Sequence, residues 1–225
     1  MKLAEFRGAY TADRAAALSG VPWSTVHYWA RKRILVPRIS ETKIKLWSYT
    51  DLMGLRTIHW LRRRKVTNEG WDVPASTMPA VRRALSVLQD LDLDLWSAET
   101  GPAVFVDPGG HIYVQAPGGP EMADTGQRPL DRELFNLIEP FQTRTSRGPD
   151  LNAPRPHLRI LPGKLSGEPH IAHTRIETSA IAALAGRGFD AQRLQALYPQ
   201  APPVALVEAL DLEHQLDENL RAAAA

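Results

Sequence analysis

The sequence predicts a mainly α chain with small β elements, an α+β fold, and three observations carry that expectation. Residues 10–37 set two short helical patterns about a glycine and lead into strand-like words. Residues 91–116 switch to a period of two, with Asp107-Pro108-Gly109-Gly110 as a turn between apolar runs. From Glu177 onward three helical patterns follow one another, opened by Pro or broken by Gly. The expected division is 1–90, a pair of helices with a hairpin and supporting helices; 91–150, an antiparallel meander with a connecting helix and linker; and 151–225, a three-helix domain with a tail.

Residues 1–9 read as a short lead. Thr11 is placed to cap a first helix built on alanines and Leu18, and Gly20 supplies the freedom a sharp turn needs. Pro22 stands where a second helix begins. In that helix Val26 and Trp29 lie three apart and face the first helix, which leaves Trp23, Ser24, Thr25, His27, Tyr28 and Arg31 outside or at the leading end. Hydroxyls, an imidazole and a phenol can bond base edges or phosphates, and Arg31, Lys32 and Arg33 can neutralise backbone charge. The words ILVP and RISETKIKLWSYT then read as two short strands about a polar turn. Asp51–Arg64 follows as a third helix with Leu52, Leu55, Ile58 and Leu61 on one face.

This run, residues 8–88, resembles the winged helix-turn-helix of the MerR family. That pattern's places are held here by Thr25, Val26, His27, Tyr28, Leu35, Pro37, Lys45, Trp47, Asp51 and Leu52. Two positions depart from it. His27 stands for the usual arginine, which puts direct phosphate contact there in question, and Arg33 stands where glycine is expected, which suggests a different exit from the helix. The resemblance implies a DNA-reading surface of Thr11, Trp23, Ser24, Thr25, His27, Tyr28, Arg31, Lys32, Arg38, Lys43 and Lys45.

Composition supports a phosphate-bound N-terminus. Residues 1–75 hold 14 Lys+Arg against 6 Asp+Glu, a net of +8, whereas the whole chain carries only +2. An apolar content of 44% suits a globular core, and no apolar run is long enough to span a bilayer. With no signal segment either, a cytoplasmic protein with no membrane partner is expected. The absence of cysteine removes disulfides, thiolate nucleophiles and cysteine metal sites.

VTNEGWDVPASTMP reads as a turn-rich stretch. AVRRALSVLQDL follows as a helix on Val81, Leu85 and Leu88, with Arg82 and Arg83 outside. DLDLW, PAVFVD and HIYVQA then form the meander, compatible with a sensor cup, a dimerisation surface or a spacer. Asp90, Asp92 and Asp94 lack the glycine and glutamate of a calcium loop. PGGPEMADTGQRP reads as a loop, LDRELFNLIEPF as a short amphipathic helix, and QTRTSRGPDLNAPRPH as an open linker.

From His157 the pattern is a strand, a turn at Pro162-Gly163, an extended stretch around Ile171, and a helix from Glu177. A break at Gly186 and Gly188 leads to a helix over Phe189–Tyr198 and a third from Pro202 that the tail continues. The tail is a candidate to dock in a partner's groove. His157, His170 and His173 do not share a helical face, so neither metal nor cofactor is expected. The set Ile160, Pro162, Gly167, Pro169, Ile171, Thr174, Arg175, Ile176, Tyr198 and Pro199 resembles a small helical domain of unknown function found in bacterial antitoxins accompanying VapC-like toxins. His173 departs by standing where that family has glycine.

Together the resemblances imply an antitoxin that binds double-stranded operator DNA as a homodimer and blocks a VapC-like PIN-domain ribonuclease. Arg175, Arg187, Arg193 and Arg221 are its candidate partner contacts. The alternative is an effector-responsive MerR-like regulator with no toxin. No phosphate loop, nucleophile elbow, HExxH or paired-carboxylate signature is present, so an enzyme is not expected.

Overall fold

A computed structural model of the chain describes residues 8–90, 96–97, 101–128, 133–136, 140–142 and 147–222. The chain enters through β1 (Tyr10–Thr11) and α1 (Ala12–Ser19). Thr11 Oγ1 accepts the Arg14 N–H at 3.2 Å, and Gly20, at φ +72°, ends the helix with its N–H on Ala16 O. That left-handed cap is cheapest for glycine. Two residues later α2 (Trp23–Arg31) begins, with Pro22 just outside it as the cap. Ala15, Ala16, Ala17, Leu18 and Val26 are buried.

The exit from α2 overturns one expectation. The Ile34 N–H bonds Trp29 O at 2.9 Å and the Arg33 N–H bonds Ala30 O at 3.1 Å, with Arg33 at φ +54°. These are the paired bonds of the glycine-type helix exit. The turn is therefore the ordinary one, and an arginine is held in it at a cost of roughly 1–2 kcal/mol.

The wing is smaller than expected. ILVP forms no strand; Ser40 and Leu46 make one isolated bridge, and Ser40 Oγ donates to Ile44 O to close the loop between them. Leu46–Trp47 is β2, and it pairs back onto β1 with Tyr10 opposite Trp47. Next, α3 (Tyr49–Arg62) starts on a reciprocal cap between Ser48 and Asp51. Leu52, Leu55, Ile58 and Leu61 are buried as the spacing predicts, and so are Met53, Arg56, Thr57, His59 and Trp60. A helix covered on nearly every side is the centre of its domain.

After α3 the turn-rich stretch is a hairpin, β3 (Lys65–Thr67) and β4 (Asp72–Val73), followed by α4 (Met78–Asp90). Val81 is buried, and Arg82 and Arg83 are exposed. The middle of the chain contributes β5 (Trp96–Ser97), β6 (Gly101–Pro102), β7 (Val104–Val106), β8 (Ile112–Ala116), β9 (Gly119–Met122), β10 (Phe135–Asn136), β11 (Phe141–Gln142) and β12 (Arg147–Gly148). One antiparallel sheet has the order β10-β7-β8-β9, with the Asp107–Gly110 turn between β7 and β8. A second has the order β12-β11-β3-β4.

Two expectations fail here. The stretch read as a loop contains β9, and within the expected amphipathic helix Phe135, Asn136 and Phe141 lie in strands, with none of its described residues helical. Pro140 cannot sit inside a helix without removing a backbone bond. Phe135 and Phe141 gain more by pairing opposite Val106 and Thr67, where both rings are buried. The readings that rested on residues 91–95, including Asp92 and Asp94, lie outside the described residues.

The C-terminal part matches its sequence reading closely: β13 (Leu158–Arg159) pairs with β14 (His170–Ile171), and α5 (Thr178–Ala185), α6 (Ala191–Leu197) and α7 (Pro203–Ala222) follow. His173 lies at φ +61°, so the glycine position of the resemblance is again held by a side chain in a left-handed turn. The stretch read as an open linker instead forms β12 and buries Leu151 completely. The tail docks on its own chain: Asn219 Nδ2 donates to Ala17 O at 3.0 Å. None of the described helices is long and apolar enough to cross a membrane.

Candidate nucleic-acid interface

Exposure along α2 follows its helical phase. Val26 is buried, Trp29 is half-buried, and Trp23, Ser24, Tyr28 and Arg31 face outward with Thr25 half-exposed. Trp23 is fixed rather than loose. Its indole N–H donates to Asp13 Oδ1 at 2.6 Å, and its ring lies 4.0 Å from that of His27. Arg31 stands over the Tyr28 ring at 5.9 Å. Asp13 went unnoticed in the sequence because nothing local marks an acid on one helix as the anchor of a side chain ten residues on.

The second helix and the 40–46 loop enclose a cleft lined by His27, Ala30, Arg31, Arg33, Val36, Pro37, Glu41 and Lys45. Arg33 reaches Glu41 only at 3.9 Å, with both side chains solvated, so the pair contributes little. Arg31, Lys32, Lys43 and Lys45 have no carboxylate partner among the described residues. Arg38 differs. Its guanidinium is 3.4 Å from Asp51 Oδ1, the buried carboxylate that also accepts the Arg38 N–H. Thr11 is engaged in capping α1 and lies apart from the cleft lining. His27 is half-buried, its Nε2 is covered and lacks a hydrogen-bond partner among the described residues, and burial followed by the Lys45 charge lowers its pKa. The cleft thus gathers three cations and an imidazole around one weakly placed carboxylate, an arrangement suited to an anion.

The candidate partner arginines do not form one cluster. Arg175 precedes α5, Arg187 follows it, Arg193 is in the first turn of α6 and Arg221 in the last turn of α7. All four are exposed without a carboxylate partner among the described residues. His157 bonds Glu208 at 2.9 Å, whereas His170 is buried against Glu168 O. No group of three or more metal-ligating side chains gathers among the described residues.

Behind α1 lies a contact that the sequence did not reveal. Arg14 makes a bidentate pair with Glu213 of α7 at 2.7 and 2.8 Å and bonds Glu168 at 2.8 Å. Thr178 Oγ1 also donates to Glu213, and Tyr10 OH donates to Gly167 O at 2.8 Å. Gly167 is at φ +84°, and a Cβ there would collide with the Tyr10 hydroxyl.

Residues 10–71 match the family model described as MerR HTH family regulatory protein. Residues 159–211 match the one described as a protein of unknown function (DUF433). No curated protein and no solved structure matches the chain. The chain therefore joins an N-terminal MerR-type helix-turn-helix domain to a C-terminal DUF433 domain.

Proposed function

We propose that the chain is a transcriptional regulator that grips double-stranded operator DNA through α2 and the 40–46 loop. The observation that carries this reading is the cleft between them, where Arg31, Arg33 and Lys45 gather beside a helix whose outer face presents Trp23, Ser24, Thr25 and Tyr28. Cations fix the phosphates, and hydroxyls and the phenol are placed to read base edges. One such helix supplies modest affinity, so a homodimer binds two half-sites. Reversing charge at Arg31 or Lys43 weakens binding to every sequence and flattens its salt dependence. Thr25→Ala or Tyr28→Ala costs roughly 1–3 kcal/mol on the preferred site. Gel shifts unchanged in all four variants remove α2 from the DNA.

We further propose that the regulator is the antitoxin of a VapC-like PIN-domain ribonuclease and represses its own operon. In support, the exposed Arg175, Arg187 and Arg193 have no carboxylate partner among the described residues. A metal-binding acidic groove is a fitting target for such groups. Co-expression with a PIN-domain ribonuclease encoded beside it yields a stable complex with suppressed RNase activity. A nuclease that stays free and active refutes this part and leaves the DNA reading standing.

A further inference from the structure

We propose that DNA binding by this chain takes up one proton at His27, whose imidazolium then joins Lys45 in clasping a backbone phosphate inside the cleft between α2 and the 40–46 loop. The inference rests on the DNA reading above and adds a regulation to it.

The geometry supplies the reasons. His27 lines the cleft, yet its Nε2 has no hydrogen-bond partner among the described residues. In the free protein the groups facing the ring discourage a second ring proton. Lys45 approaches from the loop, and Arg31 and Arg33 stand on the same cleft. The only favourable charge from α1, Asp13, is already bonded to the Trp23 indole, and Glu41 is drawn toward Arg33. Burial and the Lys45 charge hold the His27 pKa below its ordinary value, so the free imidazole is neutral near neutrality.

A phosphate entering the cleft reverses the balance. It adds negative charge beside both groups and offers an acceptor for an Nε2–H, which the ring reaches by turning outward from the tilted Trp23 ring, a side-chain rotation at a helix surface. The proton comes from solvent, and the imidazolium–phosphate bond holds it. By linkage, a group that is neutral in the free protein and charged in the complex makes affinity rise as pH falls. An arginine at this position would hold the phosphate at every pH, whereas histidine makes the grip conditional.

The test is fluorescence anisotropy with a labelled random-sequence duplex at constant ionic strength, since a phosphate contact needs no particular sequence. Between about pH 8 and about pH 6 the wild-type affinity rises, by up to about tenfold per pH unit where one proton is taken up. His27→Gln loses that rise. His27→Arg binds at all pH values at least as tightly as the wild type in acid. Lys45→Gln binds more weakly, with a salt slope reduced by about one, but keeps the rise. A pH dependence that persists in both His27 variants, or a flat wild type that binds well, overturns the proposal while leaving the DNA reading intact. Failure of every protein to bind any duplex overturns both.

Discussion

Replacing Lys65 with Met should stabilise the protein, and the gain should vanish in alkali. Lys65 leads off β3 with 1% of its surface exposed, and its Nζ lacks a hydrogen-bond partner among the described residues. Among the described residues the ammonium meets the Trp60 ring face, 4.8 Å away, and burial drives its pKa from 10.5 down to about 7. A displacement of that size disfavours the folded state by about 5 kcal/mol wherever both states are protonated. In the unfolded chain the amine stays charged up to its ordinary pKa, so between the two values the unfolded state binds the extra proton and stability rises with pH. Wild-type unfolding free energy from urea titrations should climb by about 1.4 kcal/mol per pH unit from about pH 7.5 to about pH 9.5. Lys65→Met keeps the stem against Trp60, forfeits a cation–π contact and removes the slope, for a net gain of roughly 2–4 kcal/mol at neutral pH. A wild type flat across that window, or a Met variant with the same slope, refutes the claim that Lys65 is an uncompensated buried amine.

His59 acts in the same direction at lower pH. Burial, with Arg63, Arg56 and Lys65 nearby, holds its pKa at about 4, so stability falls as pH drops from about 6.5 toward 4, and His59→Phe shallows that acid limb in urea titrations. Arg33→Gly relieves a left-handed arginine and raises thermal stability by about 0.5–1 kcal/mol after the glycine's larger unfolded-state entropy is counted. The same change removes a cation from the cleft, so its DNA affinity falls while its melting temperature rises. Arg14→Met strands Glu213 and Glu168 and costs about 3 kcal/mol in chemical denaturation; combining it with Glu213→Gln recovers part of the loss, and strict additivity contradicts a coupled network.

What the sequence revealed divides along physical lines. Local signals were sufficient where the chain decides for itself: the Thr11 cap, the Gly20 turn, the apolar face of α3 and the Pro-opened helices of the C-terminal domain all lie where their residues predict. Both places where a family glycine is missing, Arg33 and His173, turned out to be left-handed. A sequence departure there marked a strained residue, not an altered turn. Failures cluster where partners are distant. Phe135 pairs near Val106 and Phe141 near Thr67, so an apolar stretch with helical spacing became two strands in different sheets. Of the DNA candidates, His27, Arg31 and Lys45 line one cleft, but only their three-dimensional arrangement shows that Arg33 joins them and that Arg38 is tied to Asp51.

The same long-range contacts bear on how the two matched domains work. Arg56 is wholly buried in α3, donates to Leu18 O at the end of α1 and to Pro149 O after β12, and lies 4.7 Å over the Phe141 ring. Burial pushes its pKa down to about 9. From the other side, Arg14 fixes the first turn of α1 to α7, and Asn219 fixes its last turn. The helix that supports α2 is thus held at both ends by residues from the C-terminal half. A change in α7 is expected to reach α1 and so α2, because a bidentate ion pair and a side-chain hydrogen bond join α7 to both ends of α1. The two halves are therefore joined through α1, and a fragment cut before α5 would keep Glu168 beside Arg14 but lose Glu213, its bidentate partner.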